Sequence, residues 1–278
     1  MADILKKEQL SAQVYRYRIS APRIARKRKA GQFVILRPVQ DSERIPLTIV
    51  NSDPDAGWIE IIFQVVGKTT MILSEAAVGD SILDLAGPLG NPTHIEKFGK
   101  VLCIGGGVGV APLYPIIKAL HQSGNQVVSI IGARSKDLII LEQEIKRVSD
   151  SAFITTDDGS YGKKGFVSDV FNEFRASGQN FDAAFVIGPV MMMKVTTSLT
   201  TAAKIKTYAS LNPIMIDGTG MCGGCRVTVF NQTKFACVDG PEFDASGIDW
   251  DELIIRLNSY RMFETKAREN HKCRMESV

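Results

Sequence analysis

One short stretch near the C-terminal end of this chain combines side chains that bind metals. Asp217 is followed by Cys222 and Cys225, and Cys237 comes later in the sequence. The spacing matches the plant-type pattern for a [2Fe–2S] cluster, Cys-x4-Cys-x2-Cys and then a distant Cys, except that the first position is an aspartate. These four residues are therefore predicted to bind a cluster that carries single electrons. A structural zinc ion held by three sulfurs and one oxygen is the main alternative.

The other two of the five cysteines lie in different surroundings. Cys103 belongs to an apolar segment and is expected to be a small core residue. Cys273 lies in the charged C-terminal tail and is expected to have no role. Because the number of cysteines is odd and three of them form one tight group, a reducing compartment and metal binding are favoured over a disulfide framework. The sequence thus predicts a cytoplasmic location.

The composition is that of an ordinary globular protein. The 278 residues are 45% hydrophobic and 23% charged, and the chain is long enough for two packed domains and a small appendage. The longest apolar stretch, residues 101–120, is interrupted by glycines and prolines, and the N-terminus lacks the apolar segment of a signal peptide. We therefore expect no membrane span and no leader. The formal net charge of +3 is too small to indicate nucleic acid binding.

Positive charge is concentrated between Glu8 and Asp41, a stretch without acidic residues. Arg23 and the four consecutive basic residues 26–29 stand just ahead of Gly31. One interpretation is a solvated rim around a strand. The other is a docking surface for an acidic partner such as a ferredoxin.

The first hundred residues have the pattern of β structure. Tyr15, Tyr17 and Ile19 alternate with polar residues, and further apolar runs begin at Phe33 and Trp58. Turn residues separate these runs, and no long helical pattern comes before residue 100. A small antiparallel barrel is expected for residues 1–98.

From Lys100 onward, strand and helix patterns alternate. One helical pattern places Leu138, Leu141, Ile145 and Val148 on one face. Five apolar strands with four crossovers predict a doubly wound parallel sheet over residues 99–212, which would bind ligands beyond the carboxyl ends of its strands. A cluster loop over residues 213–245, and a C-terminal helix and tail over residues 246–278, complete the expected organisation.

A glycine run that begins at Gly105 lies where the first of these strands meets its helix. Glycines at such a turn let the backbone approach a pyrophosphate, whose charge the helix N-terminus favours, although tight packing alone would also explain them. The run does not fit Gly-x-Gly-x-x-Gly, and Arg134 rather than an acidic residue follows the next strand. Arg134 could pair with the 2′-phosphate of NADP, stack on an adenine or contact the pyrophosphate, so the choice between NAD and NADP stays open.

Two segments of the barrel carry groups that can hold a phosphorylated ligand. Thr48 supplies a hydroxyl and Arg44 a positive charge. Residues 67–70, Gly-Lys-Thr-Thr, could open a backbone site with hydroxyl donors beside it. Each segment, considered alone, could equally be a turn between strands.

The order of barrel, glycine run and cluster loop resembles the ferredoxin–NADP reductase superfamily, and within it the electron-transfer subunits of dihydroorotate dehydrogenase. Matching segments span nearly the whole chain and begin at Gly31, Pro46, Val65, Gly87, Gly105, Thr156, Gly188 and Cys237. Two positions depart from these patterns. Arg44 stands four residues before Thr48 instead of three, and Asp217 replaces the first cluster cysteine. Both departures are similar to the small subunits of NADH-dependent reduced ferredoxin:NADP oxidoreductases, which are electron-bifurcating transhydrogenases.

The resemblance implies three cofactor sites. FAD would lie between barrel and sheet, bound by Arg44, Pro46, Leu47, Thr48, Val65, Gly67, Lys68, Thr69 and Thr70. NAD(H), with NADP(H) not excluded, would be bound by Gly107, Val108, Gly109, Val110, Arg134, Asp157, Asp158, Gly188, Pro189 and Met192. The cluster would be bound by Asp217, Cys222, Cys225 and Cys237. Hydride would pass between a nicotinamide near Gly188 and a flavin near Thr48, with no catalytic side chain required.

The resemblance also implies that this chain is one subunit of an oxidoreductase. It would pass electrons between NAD(H), FAD and the cluster, and exchange them with a larger subunit that carries its own FAD and [4Fe–4S] clusters. Ferredoxin would be reached through that hetero-oligomer. The alternative is an electron-transfer subunit of a dihydroorotate dehydrogenase, a sulfide dehydrogenase or a hydrogenase. A zinc-stapled nucleotide-binding module is the alternative outside redox chemistry.

Overall fold

The computed structural model describes residues 2–275, and the side chains of residues 2–271. The expectation for Cys273 therefore lies outside the described side chains. An antiparallel barrel, a parallel sheet with helices and a small loop-rich segment follow one another along the chain. The predicted fold class and the order of its parts are confirmed.

The barrel comprises residues 2–89. Its elements are β1 (Ala2–Ser11), β2 (Val14–Ser20), α1 (Pro22–Ala25), β3 (Phe33–Arg37), β4 (Ile45–Asp53), β5 (Trp58–Gln64), α2 (Lys68–Glu75), β6 (Ser81–Ile82) and β7 (Asp84–Leu89). The strands pair in the order β6-β1-β2-β5-β4-β3-β7, and every pairing is antiparallel. Only Leu83 separates β6 from β7, so the two ends of the sheet adjoin and the barrel is nearly closed.

Side chains that alternate along the strands fill this barrel. In β2, Tyr17 and Ile19 are fully buried, whereas Arg16 and Arg18, which alternate with them, are partly exposed. The Tyr17 hydroxyl donates a hydrogen bond to the Leu73 carbonyl oxygen at 2.7 Å, which ties α2 to the barrel. Burial raises the pKa of Tyr17 above its ordinary value, so this hydroxyl remains a donor.

Residues 100–210 form the parallel sheet and its helices. The elements are β8 (Lys100–Gly106), α3 (Val110–Gln122), β9 (Gln126–Ala133), α4 (Glu142–Lys146), β10 (Ser151–Thr156), β11 (Lys163–Lys164), α5 (Val167–Ala176), β12 (Ala183–Ile187), α6 (Val190–Ala202) and β13 (Lys206–Ser210). The strand order is β11-β10-β9-β8-β12-β13, with parallel pairing throughout. Winding reverses between β8 and β12, and a crevice therefore opens where their carboxyl ends diverge.

The remaining residues carry the cluster loop and two helices. The elements are β14 (Arg226–Val229), β15 (Gln232–Phe235), β16 (Glu242–Asp244), α7 (Trp250–Asn258) and α8 (Arg261–Met275). β14 and β15 form a hairpin, and β16 pairs antiparallel with β13. The segment that follows the parallel sheet therefore extends that sheet by one antiparallel strand.

The structure adds to the expected elements and shortens one of them. β11 and β16 join the five expected strands, and α8 occupies the tail for which the sequence predicted no element. The helix expected around Leu138 to Val148 is reduced to a 3₁₀ turn and the five-residue α4. Leu141 has a positive φ of 57°, which ends the turn and starts α4 in a new direction. Leu141 and Ile145 are nevertheless buried as the pattern predicted.

Buried side chains join the three parts into one body. A group of apolar residues packs Val14 and Ile62 of the barrel against α3 and one face of the parallel sheet. A second group packs Phe33 and Ile35 against the opposite face and against Cys225 of the cluster loop. Because the parts share cores, burial of apolar surface fixes their relative positions. No helix within residues 2–275 is long and apolar enough to span a membrane.

Candidate functional site

A cavity of about 1030 Å³ lies between the barrel and the carboxyl ends of the parallel strands. β4 and β5 supply one wall; the loops after β8, β9, β10 and β12 and the starts of α5 and α6 supply the other. Its volume reaches the upper end of the range for ligand pockets, about 300–1,000 Å³. A mostly apolar wall with a few placed polar groups is the usual construction of a cofactor site.

The barrel contributes part of the predicted flavin set to this cavity. Pro46, Leu47 and Thr48 line it from β4, and Thr70 lines it from the first turn of α2. The Thr70 hydroxyl accepts hydrogen bonds from the backbone N–H groups of Val66 and Gly67, both at 3.0 Å. Thr70 therefore shapes the chain where it enters α2.

The other predicted flavin residues surround this wall without lining it. The Lys68 ammonium group donates to the Asp41 carbonyl oxygen at 2.9 Å. The Thr69 hydroxyl accepts from the Glu43 N–H at 3.1 Å. These two bonds tie the N-terminus of α2 to the loop before β4. The set that stands back from the cavity is Arg44, Val65, Gly67, Lys68 and Thr69.

Arg44, whose spacing from Thr48 departs from the superfamily motif, points partly toward the barrel surface. Its guanidinium lies 3.5 Å from the Asp84 carboxylate, and the side chain is 46% exposed. Arg37 makes a shorter contact, 2.8 Å, with the same carboxylate. An exposed pair of this kind is weak, about 0–1 kcal/mol, and Arg44 can therefore turn toward a ligand at small cost.

The sheet contributes most of the predicted nicotinamide-nucleotide set. Eight of its members line the cavity: Gly107, Val108, Gly109, Arg134, Asp157, Gly188, Pro189 and Met192. Val110 is buried in the first turn of α3, and Asp158 lies outside the lining. The Asp158 carboxylate accepts hydrogen bonds from Ser160, which hold its pKa below the ordinary value and assign it to the turn after β10.

Glycine is required where the loops after β8 and β12 meet. A Cβ atom on Gly109 would lie 2.6 Å from the Gly188 Cα and 2.7 Å from the Ile187 carbonyl oxygen. A Cβ atom on Gly188 would lie 2.7 Å from the Met192 methyl carbon. Both glycines therefore permit close approach of two backbones at the point where the sheet changes its winding.

Several lining residues gave no signal in the sequence. Gln64 lies at the end of β5, and Asn212 and Met215 lie between the sheet and the cluster loop, where no local motif marks them. Phe166 and Met191 are 60% and 56% exposed and line the cavity next to solvent. Exposed large apolar residues at a cavity often mark a binding surface, but their exposure can be known only from the structure.

Two of the predicted cluster ligands are in contact. Cys225 and Cys237 are both 1% exposed, and their sulfurs are 3.2 Å apart. The pair is positioned by the β14–β15 hairpin, because the Ala236 N–H donates to the Cys225 carbonyl oxygen at 3.1 Å. Burial, together with the neighbouring Cys225, raises the pKa of Cys237 to about 12. A bound metal would replace that proton, since the thiolate is the ligand.

The other two predicted ligands lie on the same loop but are not gathered with this pair. Cys222 is exposed, and its sulfur accepts a hydrogen bond from the Gly224 N–H at 3.5 Å. The Asp217 carboxylate accepts from the Thr219 N–H at 2.9 Å and from the Cys222 N–H at 2.8 Å. Within the described residues no three metal-binding side chains stand close enough to form a metal site.

The donor chemistry of this loop nevertheless fits an iron–sulfur cluster. The thiols of Cys225 and Cys237 are in contact, and Cys222 stands three positions before Cys225. Hydrogen bonds donated by the Thr219 and Cys222 backbone N–H groups hold the pKa of Asp217 low, so the carboxylate is ionised. Gly218 fits against the barrel so closely that a Cβ atom would lie 2.6 Å from Leu89. The loop is therefore seated on the same barrel that forms one wall of the cavity.

Family models match three segments of the chain, in the order that the fold shows. Residues 1–94 match an oxidoreductase FAD-binding domain, and residues 103–198 match an oxidoreductase NAD-binding domain. Residues 212–249 match the iron–sulfur cluster binding domain of dihydroorotate dehydrogenase B. The predicted FAD, NAD and iron–sulfur cofactors are thereby confirmed, and the zinc-stapled alternative loses its support.

Two curated relatives and one solved structure are similar over most of the chain. The dihydroorotate dehydrogenase B (NAD(+)) electron transfer subunit homolog of Thermotoga maritima is 48% identical over 96% of this chain and 94% of its own length. The electron transfer subunit of dihydroorotate dehydrogenase B from Streptococcus pneumoniae is 38% identical over 77% of this chain and 87% of its own.

The solved structure is that of the NADH-dependent reduced ferredoxin-NADP oxidoreductase, an enzyme studied for flavin-based electron bifurcation. It matches with a TM-score of 0.92 and 46% identity, over 97% of each chain. The agreement extends through the barrel, the sheet and the cluster loop. This chain belongs to the family of ferredoxin reductase-like electron-transfer subunits, oxidoreductases that carry FAD, NAD and a dihydroorotate dehydrogenase B-type iron–sulfur domain.

Proposed function

We propose that this chain is the small subunit of an electron-bifurcating NADH-dependent ferredoxin:NADP oxidoreductase. The observation that carries the proposal is that one cavity is lined by both nucleotide-binding segments, while the cluster loop is seated on the barrel that forms part of its wall. A continuous route for electrons from nicotinamide to flavin to cluster needs this adjacency. The similarity to the ferredoxin-NADP oxidoreductase over 97% of both chains supports the finer assignment.

The proposed flavin site is the barrel side of the cavity. Thr48 and the backbone around Pro46 and Leu47 would orient the flavin ring, because these residues line the wall that faces Gly188. The N-terminal turn of α2 would face the flavin pyrophosphate, since unpaired N–H groups at a helix start favour anions. Arg44, Val65, Gly67, Lys68 and Thr69 would complete this site around the turn.

The proposed nicotinamide-nucleotide site is the sheet side of the cavity. The glycine turn at Gly107 and Gly109 would bind the pyrophosphate through its backbone at the start of α3. Gly188 and Met192 would place the nicotinamide against the flavin. Arg134 lines the cavity after β9 and makes no salt bridge within the described residues, so it is available to the adenosine half of the ligand. Val110, Asp157, Asp158 and Pro189 complete the proposed set.

The bound cofactors would supply the redox chemistry, since flavin exchanges a hydride with NAD(H) and single electrons with a [2Fe–2S] cluster. The contribution of the chain is geometry and exclusion of water. With the cofactors bound, the apolar wall would exclude water, and the shared cores hold barrel, sheet and cluster loop together. We propose Asp217, Cys222, Cys225 and Cys237 as the cluster ligands; this requires Asp217 to exchange its backbone hydrogen bonds for iron.

We further propose a larger partner subunit that carries FAD and [4Fe–4S] clusters, with ferredoxin reached through the complex. In this proposal residues 1–98 bind FAD, residues 99–212 bind NAD, residues 213–245 bind the cluster, and residues 246–278 form the C-terminal helix and tail. The second candidate is an electron-transfer subunit of a dihydroorotate dehydrogenase. It is favoured by the names of the curated relatives and by the type of the iron–sulfur domain.

Purification of the native complex separates these candidates. The chain is expected to purify with a large flavin and [4Fe–4S] subunit. NADH is expected to reduce the flavin bound by this chain, as distinct from the partner's flavin, faster than NADPH does. Copurification with a chain that oxidises dihydroorotate would overturn the first proposal and establish the second. Faster reduction by NADPH would overturn the proposed nucleotide preference and assign Arg134 to the 2′-phosphate.

A further inference from the structure

The carboxyl of Glu242 lies at the junction of all three parts of the molecule. Glu242 begins β16, directly after Pro241, and pairs in register with Ser210 of β13. Its Oε1 atom accepts a hydrogen bond of 2.6 Å from the Thr93 hydroxyl, across 149 residues of sequence. A Cβ atom on Gly31 would lie 3.0 Å from the same oxygen. Gly31 and Thr93 therefore cover this carboxyl, which the cluster segment contributes, and Glu242 as a whole is half-buried.

No cation neutralises this carboxyl within the described residues, where Glu242 forms no salt bridge. Cys103 of β8 interacts electrostatically with Glu242, but burial raises the pKa of this thiol and keeps it neutral. Tyr208 and Asp244 form the next pair on the same face of the β13–β16 ladder, two residues along each strand. Desolvation by burial, opposed by the Thr93 hydrogen bond, raises the pKa of Glu242 to about 7. The carboxyl is thus poised between its two protonation states near neutral pH.

Surface charges near Thr93 do not reach this carboxyl. Lys29 lines a separate groove with Thr93 on the outer surface, and its side chain is exposed. His94 is engaged with Glu96 at 3.2 Å. The carboxyl therefore has one hydroxyl donor and no cationic partner within the described residues, and the Asp244 carboxylate lies on the same face of the strand pair.

Glu242 lies next to two residues that line the cofactor cavity. Ser210, its partner in register, and Pro241, its neighbour in sequence, both line that cavity. The Leu211 N–H donates to the Pro241 carbonyl oxygen at 2.9 Å, which joins these two segments. Charge added inside the cavity would act on this carboxyl through protein. Electrostatic interactions are several times stronger there than in water.

We propose that Glu242 is a redox-linked proton site, which binds one proton when the cofactors of this chain gain electrons and releases it when they lose them. The proposal rests on the proposed function only in requiring that electrons enter the cavity. The step is Glu242–COO⁻ + H⁺ → Glu242–COOH, with the proton taken from solvent. No bond to a cofactor forms or breaks. The added negative charge favours the neutral carboxyl, and the bound proton in turn favours the reduced cofactors.

Potentiometric titration of the purified complex, at pH values on either side of about 7, tests this proposal. In wild type the midpoint potential of the flavin or of the cluster should fall more steeply with rising pH than in Glu242→Gln. Glutamine can still accept from Thr93 but binds no proton, so a merely structural role would not change the slope. Equal slopes for both cofactors in the two proteins would overturn the proposal.

Thr93→Val supplies the matched control. It keeps the carboxyl but removes the hydrogen bond that lowers the pKa of Glu242, so the pH at which the slope changes should move upward. A shift downward, or none, would overturn the assignment. Electrons are delivered chemically in both measurements, so neither NADH nor the identity of the partner affects the result. Failure of the proposed function is therefore distinguishable from failure of the proton site.

Discussion

The cofactor cavity and the cluster loop are built from different parts of the chain. The cavity wall brings together backbone from β4, from the turn before α3 and from the loop after β12, which are far apart in sequence. The proposed cluster ligands lie within residues 217–237, which are close in sequence. The groups that line the cavity are mainly backbone and apolar surface, whereas the ligands proposed for the loop are thiols and one carboxylate.

This difference explains why the two sites tolerate different changes. Backbone sites depend on close approach, so their sensitive residues are those that lack a Cβ, such as Gly109 and Gly188. Side-chain sites depend on the ligand atoms themselves, so Cys225 and Cys237, as proposed ligands, should be the sensitive residues of the loop. Each site should therefore be removable without loss of the other.

Removal of the cluster alone is the largest expected effect. Cys225→Ala removes one of two buried, adjacent thiols, and iron content should fall to background while FAD remains bound. Iron analysis and the visible spectrum of the purified protein measure this. The control is Cys103→Ala, a substitution of an equally buried cysteine in β8 that should retain iron. Iron retained in Cys225→Ala would remove this residue from the ligand set.

Loss of nicotinamide binding alone is expected from Gly109→Ala. The new Cβ atom would lie 2.6 Å from the Gly188 backbone, and overpacking of this kind costs about 1–3 kcal/mol. We expect reduction of the flavin by NADH to slow by roughly tenfold or more, with FAD and iron retained. Gly178→Ala is the control for backbone strain without overpacking, because Gly178 has a positive φ of 74°, unlike Gly109 at −62°, and its Cβ atom would meet nothing within 4 Å. An unchanged rate in Gly109→Ala would contradict the proposed contact with the nucleotide.

A smaller effect is expected from Asp217→Cys. The cluster should be retained, because a thiolate replaces a carboxylate at the same place, but its reduction potential should shift with the charge and hydrogen bonding of the new ligand. A redox titration followed by electron paramagnetic resonance measures the shift. Asp239→Asn is the control, since Asp239 also accepts a backbone hydrogen bond in this loop, from Phe235 at 2.7 Å. A potential shared by Asp217→Cys and wild type would show that Asp217 is not a ligand.

The smallest effect is expected from Arg16→Gln, which breaks the ion pair between the barrel and α4. Arg16 and Glu144 are 2.8 Å apart, with side chains 19% and 33% exposed. A partly exposed pair contributes about 0–1 kcal/mol, so the free energy of unfolding should fall by that amount at neutral pH while cofactor binding is kept. A larger loss, or release of FAD, would mean that the ion pair rather than the shared core holds the cavity together.

The same ion pair predicts a pH dependence. Burial acts to raise the pKa of Glu144, but the hydrogen bond and charge of Arg16 outweigh it and hold the pKa below its ordinary value. A lowered carboxyl pKa gives stability that is present above the pKa of the unfolded chain and is lost as pH falls through that of the folded chain. The difference between wild type and Arg16→Gln should therefore vanish in acid. Denaturant unfolding at several pH values measures it, and a difference that persists in acid would contradict the assignment.

Much of the fold followed from local patterns. The alternation around Tyr17 predicted β2, and the strand–helix alternation after Lys100 predicted a doubly wound sheet, because each pattern records which face of an element is buried. The exception is the segment around Leu141, where the helical pattern correctly predicted burial but not the positive φ that interrupts the helix. Such a break depends on packing against α3 and the barrel and leaves no periodic signal.

The sequence by itself determined the kind of chemistry and the order of the parts. Cysteine spacing, a glycine turn after an apolar strand, and an aspartate in a ligand position are local features, so they can be recognised without a fold. Only the tertiary structure decided which residues share the cavity with them: Gln64, Asn212 and Met215 carry no motif, and Glu242 meets Thr93 across 149 residues. The physical reason is that contacts between distant residues depend on how sheets, loops and cores pack together, which the local pattern of hydrophobic and polar residues does not specify.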